Sequence, residues 1–446
     1  MKITVIGGAG VRAPLLIGSL AKRAKMLDID EVAIYDIDPR KVGLIVPLAK
    51  SVLEKAGNPY KLTVAETPEE AVKGATAVIT TIRAGFEEGR AKDERICMNH
   101  GMLGQETTGA AGFAFACRSI PALVDYARMT FDSNPDAWLL NFTNPAGLTT
   151  QALNKEGYDR CVGICDSADS AKAYCADHLG VDKSAIETRV TGLNHLSFTT
   201  SIKVNGEEKI TEFLHDDKFL TNAQYVFPKE IVQNVGSYLN EYLYYFLLEK
   251  EALKAVLSEE KSRGELIVGW NSKLLNDLEA LDLKTNADKG LDYYMNYTRH
   301  RNESYMDYAT GGERYLPTDE EEGYAGVALD FLEAYSGTEP KQHTLIVPNN
   351  GNLKELEDHE VIEVTCEISN GSIKPLPAGD LNKDALNLVK SVKRYESIGV
   401  DAIAEQSIEG AIEALRVHPL IKDNAIAEAM MKDFMAAQEQ SFSKWR

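Results

Sequence analysis

The stretch Lys2-Ile3-Thr4-Val5-Ile6-Gly7-Gly8-Ala9-Gly10-Val11-Arg12-Ala13 decides the fold of this chain. A short β-branched run ends in glycines and gives way to Leu15, Leu16, Leu20 and Ala24 at helical spacing. Glu31 to Tyr35 then reads as a second strand. This is a βαβ unit, and Gly8 to Ala13 within it fits G-x-G-x-x-G/A. In such a loop the first glycine allows the tight turn, the second lets backbone approach a pyrophosphate, and the helix N-terminus favours negative charge. Asp36 closes the second strand, where a carboxylate accepts hydrogen bonds from an adenosine ribose. Gly7, Gly8, Gly10 and Asp36 are therefore expected to bind a dinucleotide. Asp36 would repel a 2′-phosphate, which favours NAD over NADP.

Working outward, the alternation continues. Helix-like Lys41 to Lys55, strand-like Leu62 to Ala65, a short helix from Pro68 to Lys73 and strand-like Ala75 to Ile82 come first. Strand-like Trp138 to Phe142 and Cys161 to Cys165 follow, separated by a helix-like segment after Pro145. The pattern predicts an α/β protein whose residues 1–185 form a Rossmann-like, doubly wound parallel sheet. From about residue 186 the character changes. Arg189 to Val204 is Thr-rich and strand-like with an Asn205-Gly206 turn, a long, mostly helical stretch follows, Val361 to Ile368 is strand-like, and Asp384 to Phe442 is helical. Residues 186–446 are thus expected to form a mixed α+β domain, as in the lactate/malate dehydrogenases, which share the nucleotide loop.

Composition narrows the function classes. Across 446 residues, 48 Lys+Arg face 68 Asp+Glu, a formal charge of −20. Such a surface repels nucleic-acid phosphates and anionic lipid heads, so neither nucleic acid nor membrane is an expected partner. No run reaches the roughly 18 to 20 apolar residues of a membrane span, and the first residues enter a core strand rather than a signal peptide, so the cytoplasm is the expected location. Six dispersed cysteines do not make a disulfide framework.

Polar residues at the carboxyl ends of the later parallel strands face the expected ligand crevice: Asn141-Phe142-Thr143-Asn144-Pro145 and Gly163-Ile164-Cys165-Asp166. Gly192-Leu193-Asn194-His195 interrupts a strand-like run. Cys165 and His195 read either as a core thiol and a satisfied structural histidine or as a shared metal site. Cys161-x3-Cys165 lacks a second pair nearby, which argues against structural zinc.

Taken together, the glycine loop, RAGFEEGRAKDERI (Arg83 to Ile96), GMLGQETTGAAGF (Gly101 to Phe113), NFTNPAG, GICD and GLNHLSF resemble glycoside hydrolase family 4, the NAD- and divalent-metal-dependent glycosidases, and within it the 6-phospho-β-glucosidases. The resemblance runs over nearly the whole chain and thins between about 270 and 345. It implies hydride transfer from C3 of the sugar to NAD⁺, removal of the acidified C2 proton, elimination of the C1 substituent, water addition and return of the hydride. This departs from the two-carboxylate scheme of most glycosidases. Carried over by position, Cys165 and His195 are the metal ligands, the metal being Mn²⁺, and Tyr242 is the base at C2. Glu106 orients the reacting hydroxyls, and Asn144 contacts the sugar and cofactor. Arg83, Arg90 and Arg263 are the candidates for a 6-phosphate, whose oxygens a guanidinium fork matches. Family members assemble as dimers or tetramers, so a homo-oligomer is expected.

The chain also departs from the phospho-β-glucosidase pattern. Cys165-Asp166-Ser167-Ala168 replaces Cys-Asn-Val-Pro, and an Asp after the cysteine is the general acid of the 6-phospho-α-glucosidases, which makes Asp166 a candidate acid. Val11 and Arg12 replace Ser and Tyr, Tyr244 replaces an arginine, and Val347-Pro348-Asn349-Asn350-Gly351 replaces Asn-Thr-Arg-Asn-Asn-Gly. The acidic Asp319 to Gly323 lies where a basic Gly-Gly segment is expected. Alternatives are thus a family-4 enzyme acting on 6-phospho-α-glucosides, non-phosphorylated glycosides or uronides. From other classes come an NAD-dependent 2-hydroxy-acid dehydrogenase and a non-catalytic NAD sensor.

Overall fold

The computed structural model describes residues 1–310, 315, 323–421 and 423–446; the acidic segment 319–322 lies outside them. Six strands alternate with helices in the first part: β1 (Lys2–Ile6), β2 (Glu31–Tyr35), β3 (Lys61–Val64), β4 (Ala77–Thr80), β5 (Trp138–Asn141) and β6 (Cys161–Gly163). They pair in parallel in the order β3-β2-β1-β4-β5-β6, the dinucleotide-binding order. The β-branched run of β1 is buried between neighbours on both sides, with Ile3, Thr4 and Ile6 at 0% exposure. Helix starts follow their capping chemistry. Asp38 accepts from the Arg40 and Lys41 N–H groups and Pro39 occupies the first turn of Pro39–Lys55.

The second part adds β7 (Ile186–Leu193), β8 (Leu196–Val204), β9 (Glu207–Glu208), β10 (Tyr238–Leu239), β11 (Lys341–Pro348), β12 (Val361–Ser369) and β13 (Ser372–Pro375). These strands extend the same sheet in antiparallel fashion, so that it runs unbroken as β10-β8-β7-β12-β11-β6 into the parallel half. The seam is the single register pair Ile346↔Gly163. Glycine is needed there, because a Cβ on Gly163 would lie 2.5 Å from Thr150 Oγ1 and 2.8 Å from Ile346 Cβ. The first antiparallel strand, β7, begins at Ile186, and one apolar core spans both halves of the sheet, from Ile3 and Leu16 to Phe198, Ile368 and Phe434.

The break that Gly192 to His195 makes in the strand-like run is the two-residue turn Asn194-His195 between β7 and β8, closed by Leu193↔Leu196. Within the stretch expected to be helical, β10 and the start of β11 supply sheet. This architecture, a parallel dinucleotide-binding sheet continued by an α+β region, is α/β and lactate/malate dehydrogenase-like.

Candidate active site and cofactor cleft

A cleft of about 1760 Å³ opens at the carboxyl ends of the parallel strands and continues past β6 to the turn between β7 and β8. At one end lies the glycine loop. Gly7 has φ +82° and a Cβ there would sit 2.6 Å from Thr81 O, while one on Gly8 would press on Ile34 and on Val5 O at 2.7 and 2.9 Å. A Cβ on Gly10 meets nothing in the protein closer than 3.4 Å. The first two glycines thus serve the turn, and Gly10 leaves open room over the cleft for a ligand's approach. Asp36 accepts from Ala9 N and from Asp38 N, both at 3.0 Å. Burial raises its proton affinity, and these two backbone donors oppose that. It therefore braces the loop while facing the cleft.

Cys165 and His195 come together. Cys165, just beyond β6, and His195, in the tight turn, are 7% exposed each, and Sγ lies 3.5 Å from Nε2. His195 adopts φ +61°, a conformation that histidine tolerates better than branched residues do. Its neighbour Asn194 is tied by Nδ2 to Glu363 Oε1 at 3.0 Å. Burial depresses the His195 pKa to about 4, keeping the imidazole neutral as a ligand must be. Burial, with Asp166 and Glu363 nearby, pushes the Cys165 thiol well up, opposed by the Ser167 hydroxyl. Metal bonds of the lengths found for zinc, about 2.3 Å to sulfur and about 2.1 Å to nitrogen, together exceed this 3.5 Å gap, so one ion can meet both atoms. Among the described residues no third His, Cys, Asp or Glu completes a cluster, which leaves such an ion open to ligands of another kind.

Tyr242 stacks on His195, ring centroids 3.9 Å apart and planes 6° from parallel. It sits in a one-turn 3-10 segment, Glu241–Leu243, capped by Asn240, rather than on a helix. Tyr244 and Tyr245 next to it are core residues, at 5% and 2% exposure. Burial and the neighbouring carboxylates of Glu241 and Glu106 hold the Tyr242 phenol well above its usual range. Its hydroxyl pairs with Tyr305, which donates to Glu241 Oε1 at 3.0 Å, while Tyr225 donates to Glu241 Oε2 at 2.8 Å.

Arg83, Arg90 and Glu106 form one buried box. Glu106 Oε2 lies 2.7 Å from Arg83 Nη1 and 2.9 Å from Arg90 Nη1. Arg83 Nε reaches Glu87 at 3.2 Å and Arg90 Nε reaches Glu94 at 2.8 Å. Despite its burial, the arginines hold the Glu106 pKa down at about 2. Arg263 lines the cleft, but its fork is engaged elsewhere. Nη1 donates to Ser304 O and Oγ, each at 2.9 Å, and Nη2 to Arg301 O at 2.8 Å, at the C-terminus of helix Ala287–Glu303. Its Nε is buried with no hydrogen-bond partner among the described residues. Asn144 also lines the cleft, with a buried, unpartnered Oδ1. Asn141 faces inward instead, where Thr80, Thr149 and Thr150 satisfy its amide. Asp166 is exposed at the cleft wall beside Cys165.

The structure adds residues that the sequence did not single out. Arg301 lies near enough to help hold Glu87 and Glu106 ionised. Glu363 and the Tyr305–Glu241–Tyr225 group back the site. They lie far from Cys165 in sequence and carry no motif, so only the sheet and loop packing brings them there.

The chain is similar to known proteins along nearly its whole length. The family model "Family 4 glycosyl hydrolase" matches residues 2–181, and that of its C-terminal domain matches residues 190–421. A probable 6-phospho-beta-glucosidase of Bacillus subtilis is 27% identical over 98% of this chain and 96% of its own. The 6-phospho-beta glucosidase of Thermotoga maritima, solved with manganese, NAD⁺ and glucose-6-phosphate, is 28% identical and covers 99% of both chains with a TM-score of 0.83. A metagenomic lactate dehydrogenase, 13% identical with a TM-score of 0.52 over 90% of this chain and 98% of its own, shares the fold alone. Two family models that between them cover most of its length place the chain in family 4 of the glycosyl hydrolases.

Proposed function

We propose that the chain is a glycosidase that hydrolyses 6-phospho-β-glucosides with bound NAD⁺ and Mn²⁺. The observation that carries this reading is the convergence of Cys165 Sγ and His195 Nε2 at 3.5 Å, beneath the Tyr242 ring and in the same cleft as the glycine loop. The likeness to the Thermotoga maritima enzyme along the whole chain supports the cofactors and the phospho-sugar. Gly7, Gly8, Gly10 and Asp36 would hold the dinucleotide, and Cys165 and His195 the metal. Bound there, NAD⁺ would supply a reversible hydride acceptor for C3 and the divalent ion a Lewis acid for the neighbouring oxygens.

The side chains have the remaining roles. Tyr242 takes the proton from C2, exchanges it with solvent, and returns a proton to C2 as water adds at C1, aided by the cation that its neighbours would hold. Exposed Asp166 is the donor to the leaving oxygen. Glu106, ionised and fixed by two arginines, accepts from sugar hydroxyls without needing to reorganise. Asn144 offers its unpartnered Oδ1 to the sugar and cofactor. Arg263, with Arg301 beside it, gives the 6-phosphate its positive field, while Arg83 and Arg90 shape the wall. Asp166 favours a second reading, a 6-phospho-α-glucosidase. A panel of nitrophenyl α- and β-glucosides with and without 6-phosphate, assayed with NAD⁺, Mn²⁺ and a reductant, decides between them. Turnover of the β-linked phosphate alone is expected, and turnover confined to non-phosphorylated substrates refutes the phosphate assignment. We further propose a homo-oligomer. Among the described residues no helix is long and apolar enough to cross a membrane.

A further inference from the structure

Behind the Cys165–His195 pair, the side chain of Asn240 joins two parts of the site that the chain leaves far apart. It is 4% exposed. The Tyr242 backbone N–H donates to Asn240 Oδ1 at 3.0 Å. A backbone N–H can only donate, so this contact fixes which end of the amide is oxygen and turns Nδ2 the other way. Nδ2 donates to Ser167 Oγ at 3.2 Å and to Ser197 Oγ at 3.4 Å. Ser167 Oγ in turn lies 3.2 Å from Cys165 Sγ. With its oxygen accepting from Asn240, the hydroxyl has its one proton free to point at the sulfur. Either atom can donate across the Ser167–Cys165 contact, but a sulfur that serves as a metal ligand is a thiolate with no proton, so in that state the hydroxyl donates and direction runs from amide to hydroxyl to sulfur.

We infer that Asn240 is a positioning residue which, acting through Ser167, fixes the Cys165 sulfur for a divalent cation and, through its own oxygen, fixes the Tyr242 turn in the same frame. The inference rests on the proposed metal site and goes beyond it by naming the residues that orient the sulfur ligand. Partners that orient a metal ligand from behind typically change affinity 10- to 100-fold when removed. The cap on the Tyr242 turn is a separate contact of the same side chain, so loss of Asn240 carries two consequences and loss of the Ser167 hydroxyl only one.

The test is Mn²⁺ affinity of the metal-free, NAD⁺-loaded full chain, read from the electron paramagnetic resonance of free Mn²⁺. Ser167→Ala, Ser167→Thr, Asn240→Ala and the Ser167→Ala/Asn240→Ala double variant are compared with the parent. Ser167→Ala and Asn240→Ala are each expected to weaken Mn²⁺ binding about tenfold or more, with NAD⁺ affinity unchanged. Ser167→Thr, which keeps the hydroxyl, should bind as the parent does. The double variant should lose no more than Asn240→Ala, because both act on one chain of donors. Asn240→Ala alone should also show a lowered kcat at saturating Mn²⁺. Mn²⁺ affinity of Ser167→Ala within twofold of the parent, or losses that multiply in the double variant, overturns the inference, and Ser167→Ala decides it even if Asn240→Ala fails to fold. A parent chain that binds no Mn²⁺ instead overturns the metal site itself.

Discussion

Glu363 is a carboxylate 1% exposed on β12, and it holds Asn194 of the turn that carries His195. Burial raises its pKa from the ordinary 4.5 to about 7, against the lowering effect of the Asn194 and Ser197 hydrogen bonds. A carboxyl whose folded pKa lies above its unfolded one favours the fold fully below the unfolded value, and that advantage is lost as pH rises through the folded value. Each tenfold change in proton affinity is worth about 1.4 kcal/mol, so ionising Glu363 costs about 3 kcal/mol at pH 8 and about 1 kcal/mol at pH 5. Glu363→Gln keeps an oxygen for Asn194 and removes the charge. With an unfolding entropy of roughly 2 cal/mol/K per residue, a 446-residue chain converts the difference of about 2 kcal/mol into about 2 °C. Thermal unfolding of parent and variant in EDTA, at equal concentration, should show the Glu363→Gln advantage growing by about that amount from pH 5 to pH 8. An advantage that stays flat with pH, or a variant less stable than the parent at pH 8, refutes the reasoning.

Other consequences separate the roles of single residues. Gly10→Ala meets only Gly7 O at 3.4 Å, so its melting temperature should match the parent while NAD⁺ affinity, by calorimetry, falls about tenfold or more. Gly7→Ala, at φ +82°, should instead destabilise the fold by about 1 to 3 kcal/mol, and the contrast fails if both lose only NAD⁺ binding. Tyr242→Phe should retain NAD⁺ binding, lose about 10²-fold or more in kcat and stop deuterium entering C2 of the product in D₂O; continued C2 labelling removes Tyr242 as the base. Arg90→Ala, with Arg90 itself 6% exposed, leaves Glu106 with Arg83 and Glu94 with the Gly264 N–H, and should cost about 3 kcal/mol in urea unfolding, whereas an effect below about 1 kcal/mol would show the box to be slack.

What the sequence disclosed follows the range of the forces involved. The glycine loop and the alternation through β6 depend on neighbours a few residues apart, and the parallel half lies where the periodicity puts it. His195 was visible as a break in a strand run, because a turn interrupts alternation whatever packs around it. The strand β11 was not anticipated, although Leu345-Ile346-Val347 is a short apolar run, since such a run reads equally as buried helix. Glu363, Arg301 and Tyr305 were invisible for a different reason. Each reaches the site through register or packing between distant segments, Tyr305 across 64 residues to Glu241 and Glu363 across more than a hundred, as when Glu363 on β12 pairs with Gly192 on β7. The family resemblance supplied roles for Tyr242 and Arg263, but not the contacts those residues make.

Those contacts change the meaning of the charge arithmetic. A chain of net charge −20 that takes a sugar phosphate needs cations in its cleft, and the arginines most evident in sequence are Arg83, Arg90 and Arg263. Arg83 and Arg90 are committed to Glu87, Glu94 and Glu106, and Arg301 adds a third positive charge to that group of three carboxylates. The box is therefore close to neutral and rigid, suited to orienting hydroxyls rather than to drawing in an anion. Arg263 differs because its fork meets carbonyl and hydroxyl oxygens rather than carboxylates, so its charge is solvated by the protein but not cancelled. Burial, followed by the nearness of Arg90 and Arg301, lowers its proton affinity, against the opposing pull of Asp307. A dianionic phosphate at that end of the cleft would relieve this repulsion while asking of Arg263 only its free Nε. Phosphate selectivity, on this reading, would come from a positive field held in place by a helix terminus, and the three candidate arginines would divide into two that build the site and one, Arg263, on which the resemblance lays most weight, that charges it.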